Sequence, residues 1–295
     1  MEALYPHGVC GSPCDGFTGR TIMKIGYMSG SLSPELTKAF DLAAAVGAEG
    51  VQVCYRDEQA ALLRQAGHGE WLAQQAKARG LEVCGIVLST LCSGLPIIDP
   101  VDSTPATRVD NMPAIKELFS AACGVAKAAG TNLILLPFFG KNIIEVDREL
   151  NRAIEGIGQL VDIAEEAGVV IGVESTINFN QCRFLLGQFA DTDVVKIYQD
   201  TGNALGRKLD LPTGLRDLGL DSLAGVHLKD VKMSMSSPPD YNIRLGTGDV
   251  QFRAVLNALQ AIGYDGWLVL ETPPGDNPLA NGKADMAFAR NLLGK

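Results

Sequence analysis

From Met23 onward, short apolar runs alternate with longer segments in which apolar residues recur at helical spacing. The eight apolar runs are MKIGYM (23–28), GVQVCY (50–55), LEVCGIVL (81–88), NLILLPFF (132–139), VVIGVES (169–175), VVKIYQD (194–200), LAGVHLKD (223–230) and GWLVLE (266–271). Strands that alternate with helices pair in parallel, because a parallel connection needs a crossover of a dozen or more residues. Eight such units predict an α/β fold with one domain, a closed (β/α)8 TIM barrel over residues 23–295.

The segments between the runs carry helix start and stop signals. Ser33, followed by a proline, predicts a helix N-terminus, and Gly47 predicts the end of that helix. Late in the chain, Asp249 is placed to cap a helix that Gly263 would end. The competing arrangement is an open doubly wound sheet, which ordinarily has a glycine-rich phosphate turn after its first strand. The segment GYMSGSLSP lacks the G-x-G-x-x-G spacing, so the barrel is favoured.

The N-terminal residues differ in character from the rest of the chain. Residues 1–22 are rich in glycine and proline and show neither helical nor strand periodicity, so we predict an extension that precedes the barrel. His7, Cys10 and Cys14 could be imagined as zinc ligands. A structural zinc site needs a fourth ligand and usually closer cysteines, so this interpretation is not favoured.

Charge and cysteine content restrict the partners and the compartment. The formal net charge of −9 argues against nucleic-acid binding, which depends on clustered Lys and Arg. The seven cysteines are odd in number and scattered, and several lie in apolar runs, which indicates a reducing compartment. No stretch has the roughly 18 consecutive apolar residues that span a bilayer, and the N-terminus lacks a secretory signal. The sequence therefore predicts a cytoplasmic protein without a nucleic-acid or membrane partner.

The last four apolar runs each place a polar residue at or near the end of the run. These residues are Glu174, Asp200, His227 and Glu271. In a barrel, the carboxyl ends of the strands face one mouth, where active sites lie. The three carboxylates would repel one another there unless a cation lay among them, and together with the imidazole they suit a divalent metal. Any one of them alone could be a cap or a core residue, but four on consecutive strands favour a metal site.

The same residues stand in motifs that resemble the xylose isomerase-like barrel superfamily, specifically the sugar phosphate isomerase/epimerase group with its ketose 3-epimerases and hexulose-phosphate isomerases. The matching motifs are GVES (172–175), QDTGNA (199–204), HLKD (227–230), RLGTGDVQF (244–252) and LVLE (268–271). The resemblance spans about Met23 to the C-terminus. It implies that Glu174, Asp200, His227 and Glu271 bind one divalent ion, commonly manganese, with magnesium, cobalt or zinc as alternatives. Glu174 and Glu271 would also act as acid/base catalysts, and dimers or tetramers are common in the group, so a homo-oligomer is left open.

Such a site suits proton removal beside a carbonyl. The step becomes feasible when a metal polarises the carbonyl and stabilises the enediolate, while one carboxylate takes the proton and another returns it. We therefore expect a metal-dependent isomerase or epimerase of a sugar or sugar phosphate. A dehydratase or lyase acting on a 3-keto sugar or inosose stays open, because an enediolate can expel a β-leaving group. An apurinic endonuclease and a non-catalytic sugar-binding barrel are less favoured, given three histidines and two retained glutamates.

The substrate contacts follow from nearby polar and aromatic residues. The ketose 3-epimerases resemble one another in carrying a histidine shortly after the aspartate, whereas this chain has Asn203 in the segment DTGNALG. This difference argues against an unphosphorylated ketose as the substrate. Lys229, Lys232 and Arg244 lie in or after the seventh run, near where barrels often hold a phosphate, so a sugar phosphate is possible; that they are solvated surface cations is an equally good interpretation. Lys229 is the best candidate, and Asn203 could bond a hydroxyl. Tyr55, at the end of the second run, could give a sugar an apolar floor.

Overall fold

The computed structural model describes residues 23–98 and 110–295. The predicted extension 1–22, with its three imagined zinc ligands, lies outside the described residues. The strands are β1 Lys24–Met28, β2 Gly50–Cys54, β3 Glu82–Val87, β4 Leu133–Pro137, β5 Val170–Glu174, β6 Val195–Asp200, β7 Leu223–Leu228 and β8 Trp267–Leu270. All neighbours pair in parallel in sequence order, and β8 pairs with β1. The predicted closed (β/α)8 barrel is confirmed.

Helices connect the strands and cover the outside of the barrel. They are α1 Leu36–Val46, α2 His68–Lys77, α3 Met112–Ala129, α4 Asp147–Gly158, α5 Val161–Ala167, α6 Phe179–Gly187, α7 Thr201–Gly206, α8 Leu211–Leu218, α9 Phe252–Ala261 and α10 Pro278–Leu293. Their apolar faces and the outward residues of the strands form one large core. A smaller cluster, which includes Leu133, Leu135 and Tyr198, fills the interior of the barrel. Among the described residues, no helix is both long and apolar enough to cross a bilayer.

Two of the predicted helix caps are wrong, whereas the predicted ends are confirmed. Helix α1 begins at Leu36 with Glu35 as its N-cap, and Ser33 Oγ instead accepts a hydrogen bond from the Glu35 amide. Helix α9 is preceded by Gln251, because Asp249 is held by an ion pair with Lys232. The glycines at 47 and 263 adopt the left-handed backbone that follows a helix C-terminus.

The long loop between β7 and α9 is held by a buried aspartate. Asp230 is 1% exposed, and its carboxylate accepts hydrogen bonds from the amides of Gly246, Gly248 and Val250. A carboxylate that accepts several amide bonds needs no cation to be stable in the interior. Asp230 therefore fixes the segment RLGTGDVQF near the mouth of the barrel.

Candidate metal centre and active site

The four predicted ligands converge at the mouth of the barrel. Glu174 and Asp200 are the last residues of β5 and β6, His227 is the next-to-last residue of β7, and Glu271 directly follows β8. One donor atom from each lies within 4.8 Å of the others. Strand register explains part of this convergence, because Asp200 pairs with His227 across β6 and β7. The cluster is buried except for Glu271, whose side chain is 23% exposed and faces the opening.

The imidazole of His227 is held at both nitrogens. Nδ1 lies 2.9 Å from Glu174 Oε1 and 3.3 Å from Glu271 Oε2. Nε2 lies 2.7 Å from the amide oxygen of Gln52, which projects across the barrel from β2. Because that oxygen only accepts hydrogen bonds, Nε2 carries a proton, and Nδ1 is the nitrogen directed at the carboxylates.

Gln52 is a residue that the sequence analysis missed. It is completely buried, and its amide nitrogen donates to the hydroxyl of Tyr198 at 3.2 Å. The Tyr198 ring lies 4.5 Å from the imidazole of His227 and against Gly225, where a Cβ would come within 2.4 Å of the ring. Gln52 and Tyr198 therefore orient the imidazole from behind. The signal was available, because glutamine is the one polar residue in the run GVQVCY.

Lys229 brings a cation to the edge of the carboxylate cluster. Its Nζ lies 3.0 Å from Glu271 Oε2 and 3.8 Å from Asp200 Oδ2, and 5.9 Å from the centre of the Tyr241 ring. Its side chain is 19% exposed, so the ammonium is reachable from the opening. Lys229 can hold the carboxylate of Glu271 in place and contact a bound molecule.

The pKa values reflect the crowding of charge. Burial lowers the pKa of His227, but the charges of Glu174 and Glu271 outweigh burial and raise it to about 10. Burial raises the pKa of Glu271, but Lys229 and His227 outweigh it and hold the pKa well below its usual range. For Asp200, burial outweighs the nearby Lys229 and raises the pKa to about 7. Without a metal, two cations are shared among three carboxylates, and Asp200 receives the smallest share.

The donor set fits a divalent metal ion. Asp200 Oδ2 is buried and has no hydrogen-bond partner among residues 23–98 and 110–295. A buried carboxylate oxygen without a donor is costly, and a cation at the cluster would remove that cost. A divalent ion and a neutral His227 would also balance the charge of three carboxylates and Lys229. Three oxygen ligands and one imidazole suit manganese and chemically similar ions.

The structure separates the four predicted substrate contacts into two pairs. Lys229 lies at the cluster, and Asn203 lies beside it, with its backbone N–H donating to Asp200 Oδ1 at 2.5 Å. Tyr55 is fully buried, and its hydroxyl lies 2.8 Å from His68 Nε2 at the start of α2. Arg244 pairs with Asp285 of α10 at 3.0 Å and donates to the Pro273 carbonyl. Tyr55 and Arg244 are thus bound within the fold, and their contact with a sugar stays a prediction.

The sequence pattern of the xylose isomerase-like TIM barrel family matches residues 40–292, which is most of the chain. The chain belongs to this family. The match includes all four residues of the candidate metal centre, so the resemblance in the strand-end motifs is confirmed as family membership.

The individual proteins to which this chain is similar have low sequence identity to it. A 2-epi-5-epi-valiolone 7-phosphate 2-epimerase of Actinoplanes sp. is 28% identical over 273 residues, covering 90% of this chain and 93% of the relative. An inosose dehydratase of Geobacillus thermodenitrificans is 28% identical over 166 residues, covering 49% of this chain and 54% of the relative. Among solved structures, an L-ribulose 3-epimerase has a TM-score of 0.71 at 18% identity, covering 92% of this chain and 95% of that chain. At that identity the structural match shows the shared fold.

Proposed function

We propose that this chain is a divalent-metal-dependent isomerase or epimerase of a sugar or sugar phosphate. The proposal depends above all on the convergence of Glu174, Asp200, His227 and Glu271 within 4.8 Å at the barrel mouth. The Actinoplanes relative supports it, because that protein is a 2-epimerase of a 7-phosphate and aligns over 90% of this chain. The oxygen-rich ligand set favours manganese among the divalent ions.

The roles of the two glutamates follow from their charge and exposure. When bound, the ion would polarise the substrate carbonyl and stabilise the negative charge that develops on its oxygen. Glu271 removes the proton from the neighbouring carbon, because its side chain is 23% exposed and Lys229 holds its pKa well below the usual range, so it is ionised at neutral pH. Glu174, on β5, is the group that returns a proton from the other side of the substrate.

The remaining groups of the cluster hold and orient. Asp200 and His227 complete the ligand set, and Gln52 fixes the ring of His227. Lys229 holds the Glu271 carboxylate at 3.0 Å and contacts the substrate from the β7 side. Asn203, whose backbone N–H donates to Asp200, is a second candidate contact, for a substrate hydroxyl. Losing an acid/base group of this kind typically lowers turnover by about 10²–10⁴-fold.

A dehydratase is the second candidate, because several relatives are inosose dehydratases, although each aligns over only about half of this chain. The first step would be the same proton removal by Glu271. The two reactions separate afterwards: in an epimerase Glu174 gives a proton to the opposite face of the same carbon and Glu271 keeps the proton that it removed until solvent takes it, whereas in a dehydratase the hydroxyl of the next carbon leaves and takes up a proton to form water. The product therefore distinguishes them.

The decisive experiment follows proton exchange in heavy water. The chain, reconstituted with Mn²⁺, is incubated in D₂O with L-ribulose, L-ribulose 5-phosphate or an inosose, and NMR follows loss of the proton beside the carbonyl. We expect exchange and one Mn²⁺ per chain, and we expect Glu271→Gln to slow exchange by about 10²–10⁴-fold. Glu166→Gln, a change of an exposed glutamate on α5, is the matched control.

Two outcomes would contradict the proposal. One is proton exchange by Glu271→Gln at the wild-type rate, which would show that Glu271 is not the base. The other is a folded wild-type protein that binds no divalent ion, which would favour a non-catalytic barrel. An epimer as product supports the isomerase class, and a product lighter by one water supports the dehydratase.

A further inference from the structure

The cations predicted to hold a phosphate already have acid partners. Lys229 lies 3.0 Å from Glu271, Lys232 lies 2.6 Å from Asp249, and Arg244 lies 3.0 Å from Asp285. A cation that neutralises a carboxylate at hydrogen-bond distance offers less charge to a second anion. An anionic substrate group would therefore find its strongest partner elsewhere on the rim of the barrel.

Arg56 is such a partner. It lies two residues after the end of β2, its side chain is exposed, and no carboxylate of residues 23–98 and 110–295 lies within 4.0 Å of its guanidinium. A Cβ placed on Gly30 would lie 3.5 Å from Arg56 Nη2 and 3.7 Å from Cys54 Sγ. The guanidinium therefore lies against the turn that follows β1, at the same mouth as the candidate metal centre.

The neighbours of Arg56 hold the loop without neutralising it. Asp57, the adjacent acid, accepts hydrogen bonds from Thr90 Oγ1 at 2.5 Å and from the hydroxyl of Ser93 at 2.8 Å, after β3. Gln59 accepts from the Arg56 amide at 3.3 Å and donates to the Pro34 carbonyl at 2.6 Å, after β1. The loop is thus fastened to the loops on both sides, and its own carboxylate is occupied elsewhere.

Arg56 and Glu271 both lie close enough to Cys54 to affect the pKa of its thiol. Burial raises the pKa of the Cys54 thiol; Ser89 and Arg56 act to lower that pKa, and Glu271 acts to raise it. The charges of Arg56 and Glu271 therefore act on the same side chain at the end of β2. In the described barrel, β1 is the strand between β2 and β8, so the loop that carries Arg56 and the strand end that carries Glu271 lie on the same rim, one strand apart.

We propose that Arg56 binds the phosphate group of a phosphorylated sugar whose carbonyl end lies at the carboxylate cluster. The inference rests on the proposed function and names its substrate class. The fork of parallel N–H donors on a guanidinium matches two phosphate oxygens, and bonds between charged groups are about twice as strong as neutral ones. Lys229 then serves the carbonyl end and Arg56 the phosphate end.

The first test measures inorganic phosphate binding by calorimetry to metal-free protein, so that no metal competes for the anion. We expect wild type to bind phosphate and Arg56→Gln to lose about tenfold or more in affinity. Arg64→Gln is the matched control, because this exposed arginine of the same connection pairs with Glu117 at 3.4 Å. Equal phosphate affinity in the two variants would overturn the proposal, as would a loss in Lys229→Gln but not in Arg56→Gln. Acetate binding as tight as phosphate binding would overturn it too, in favour of a sugar acid.

The second test compares L-ribulose 5-phosphate with L-ribulose in the D₂O exchange assay. We expect the wild-type protein to prefer the phosphate, and Arg56→Gln to lower the ratio of the two kcat/KM values by about tenfold, while Arg56→Lys gives an intermediate ratio. An unchanged ratio in a protein that exchanges would overturn this inference and leave the proposed function standing. Absence of exchange with every sugar, in a protein loaded with Mn²⁺, would overturn the proposed function and with it the phosphate as a substrate group.

Discussion

Two buried aspartates near the barrel mouth, Asp200 and Asp285, have opposite surroundings. Asp285, on α10, accepts hydrogen bonds at its two oxygens from Tyr27 at 3.1 Å, Thr272 at 2.9 Å, Arg244 at 3.0 Å and the Leu245 amide at 3.1 Å. Among the described residues, Asp200 at the end of β6 accepts one hydrogen bond, from the backbone N–H of Asn203 to Oδ1, and its Oδ2 has no hydrogen-bond partner.

The difference distinguishes a structural carboxylate from a ligand. Four donors, one of them a guanidinium, replace the hydration that the Asp285 carboxylate loses on burial, so the fold itself satisfies this side chain. Asp200 shares its surroundings with two more carboxylates, and Lys229 Nζ is 3.8 Å from its free oxygen. An incompletely satisfied carboxylate among other acids indicates a place for a cation, whereas burial alone does not.

The largest expected effect on folding comes from breaking the satisfied network. Asp285→Asn should lower the free energy of unfolding by about 3–5 kcal/mol, because it removes the charge of a completely buried carboxylate that pairs with Arg244. Urea unfolding of the metal-free protein measures this. The folded fraction should still bind Mn²⁺, since Asp285 is not in the ligand set.

Asp276→Asn is the matched control, because Asp276 is exposed in the segment that leads into the same helix. It should change the free energy of unfolding by less than about 0.5 kcal/mol. If Asp285→Asn were as stable as this control, the four hydrogen bonds would not be what separates the two buried aspartates.

Changing Asp200 should have the opposite pattern. Asp200→Asn should weaken Mn²⁺ binding by more than the roughly 10–100-fold typical of an outer hydrogen-bond partner, since it removes a ligand. The metal-free protein should keep or gain stability at neutral pH, because the variant has no unsatisfied carboxylate charge to bury. Urea unfolding and Mn²⁺ titration, run with and without a chelator, measure both quantities.

The pH dependence of stability gives the sign for Asp200. Its pKa is raised from an ordinary value to about 7 in the folded metal-free protein, so its contribution to stability is present below about pH 4 and lost as the pH rises through about 7. In Asp200→Asn that loss should disappear, so the variant's stability should change less between pH 4 and 7. A steeper fall in the variant would contradict the assignment of Asp200 as the least satisfied acid.

Local sequence patterns were enough to predict the site residues whose position depends on the strand that carries them. Each ligand lies at or beside a strand end, and parallel strands of a closed barrel bring those ends to one mouth, so Glu174, Asp200, His227 and Glu271 could be grouped before any coordinates. The helix ends that glycine marks could also be predicted from a short stretch of sequence. These predictions needed only the order of the strands and the direction in which each one runs.

Contacts between distant segments could not be read from such patterns. In the sequence, Ser33 and Asp249 look like helix caps. In the structure, Ser33 accepts a hydrogen bond from the Glu35 amide before α1, and Asp249 binds Lys232, 17 residues away. Arg244 looks free for a phosphate until Asp285 packs against it from 41 residues away. These side chains can satisfy several partners equally well, and the tertiary arrangement decides among them.

Gln52 tests the difference between a metal ligand and a residue that only orients a ligand, with the smallest expected effect. Its amide oxygen contacts His227 Nε2 at 2.7 Å from 175 residues away, and its amide nitrogen is satisfied by the Tyr198 hydroxyl. Gln52→Leu keeps the approximate volume but removes the acceptor, so the ring loses the bond that directs Nδ1 at the carboxylates. We expect Mn²⁺ affinity to fall by about 10–100-fold, less than in Asp200→Asn, with one ion still bound at saturation.

Gln52→Glu should retain more of the Mn²⁺ affinity than Gln52→Leu, because it restores an acceptor for Nε2. Gln74→Leu, on the exposed face of α2, controls for loss of a glutamine as such. If Gln52→Leu bound Mn²⁺ as tightly as Gln74→Leu, the imidazole would be oriented by Glu174, Glu271 and the Tyr198 ring without help. Metal affinity would then depend on the ligands alone, as the contrast between Asp200 and Asp285 already indicates. The hydrogen bond from Gln52 to His227 would contribute only to the packing of the barrel interior.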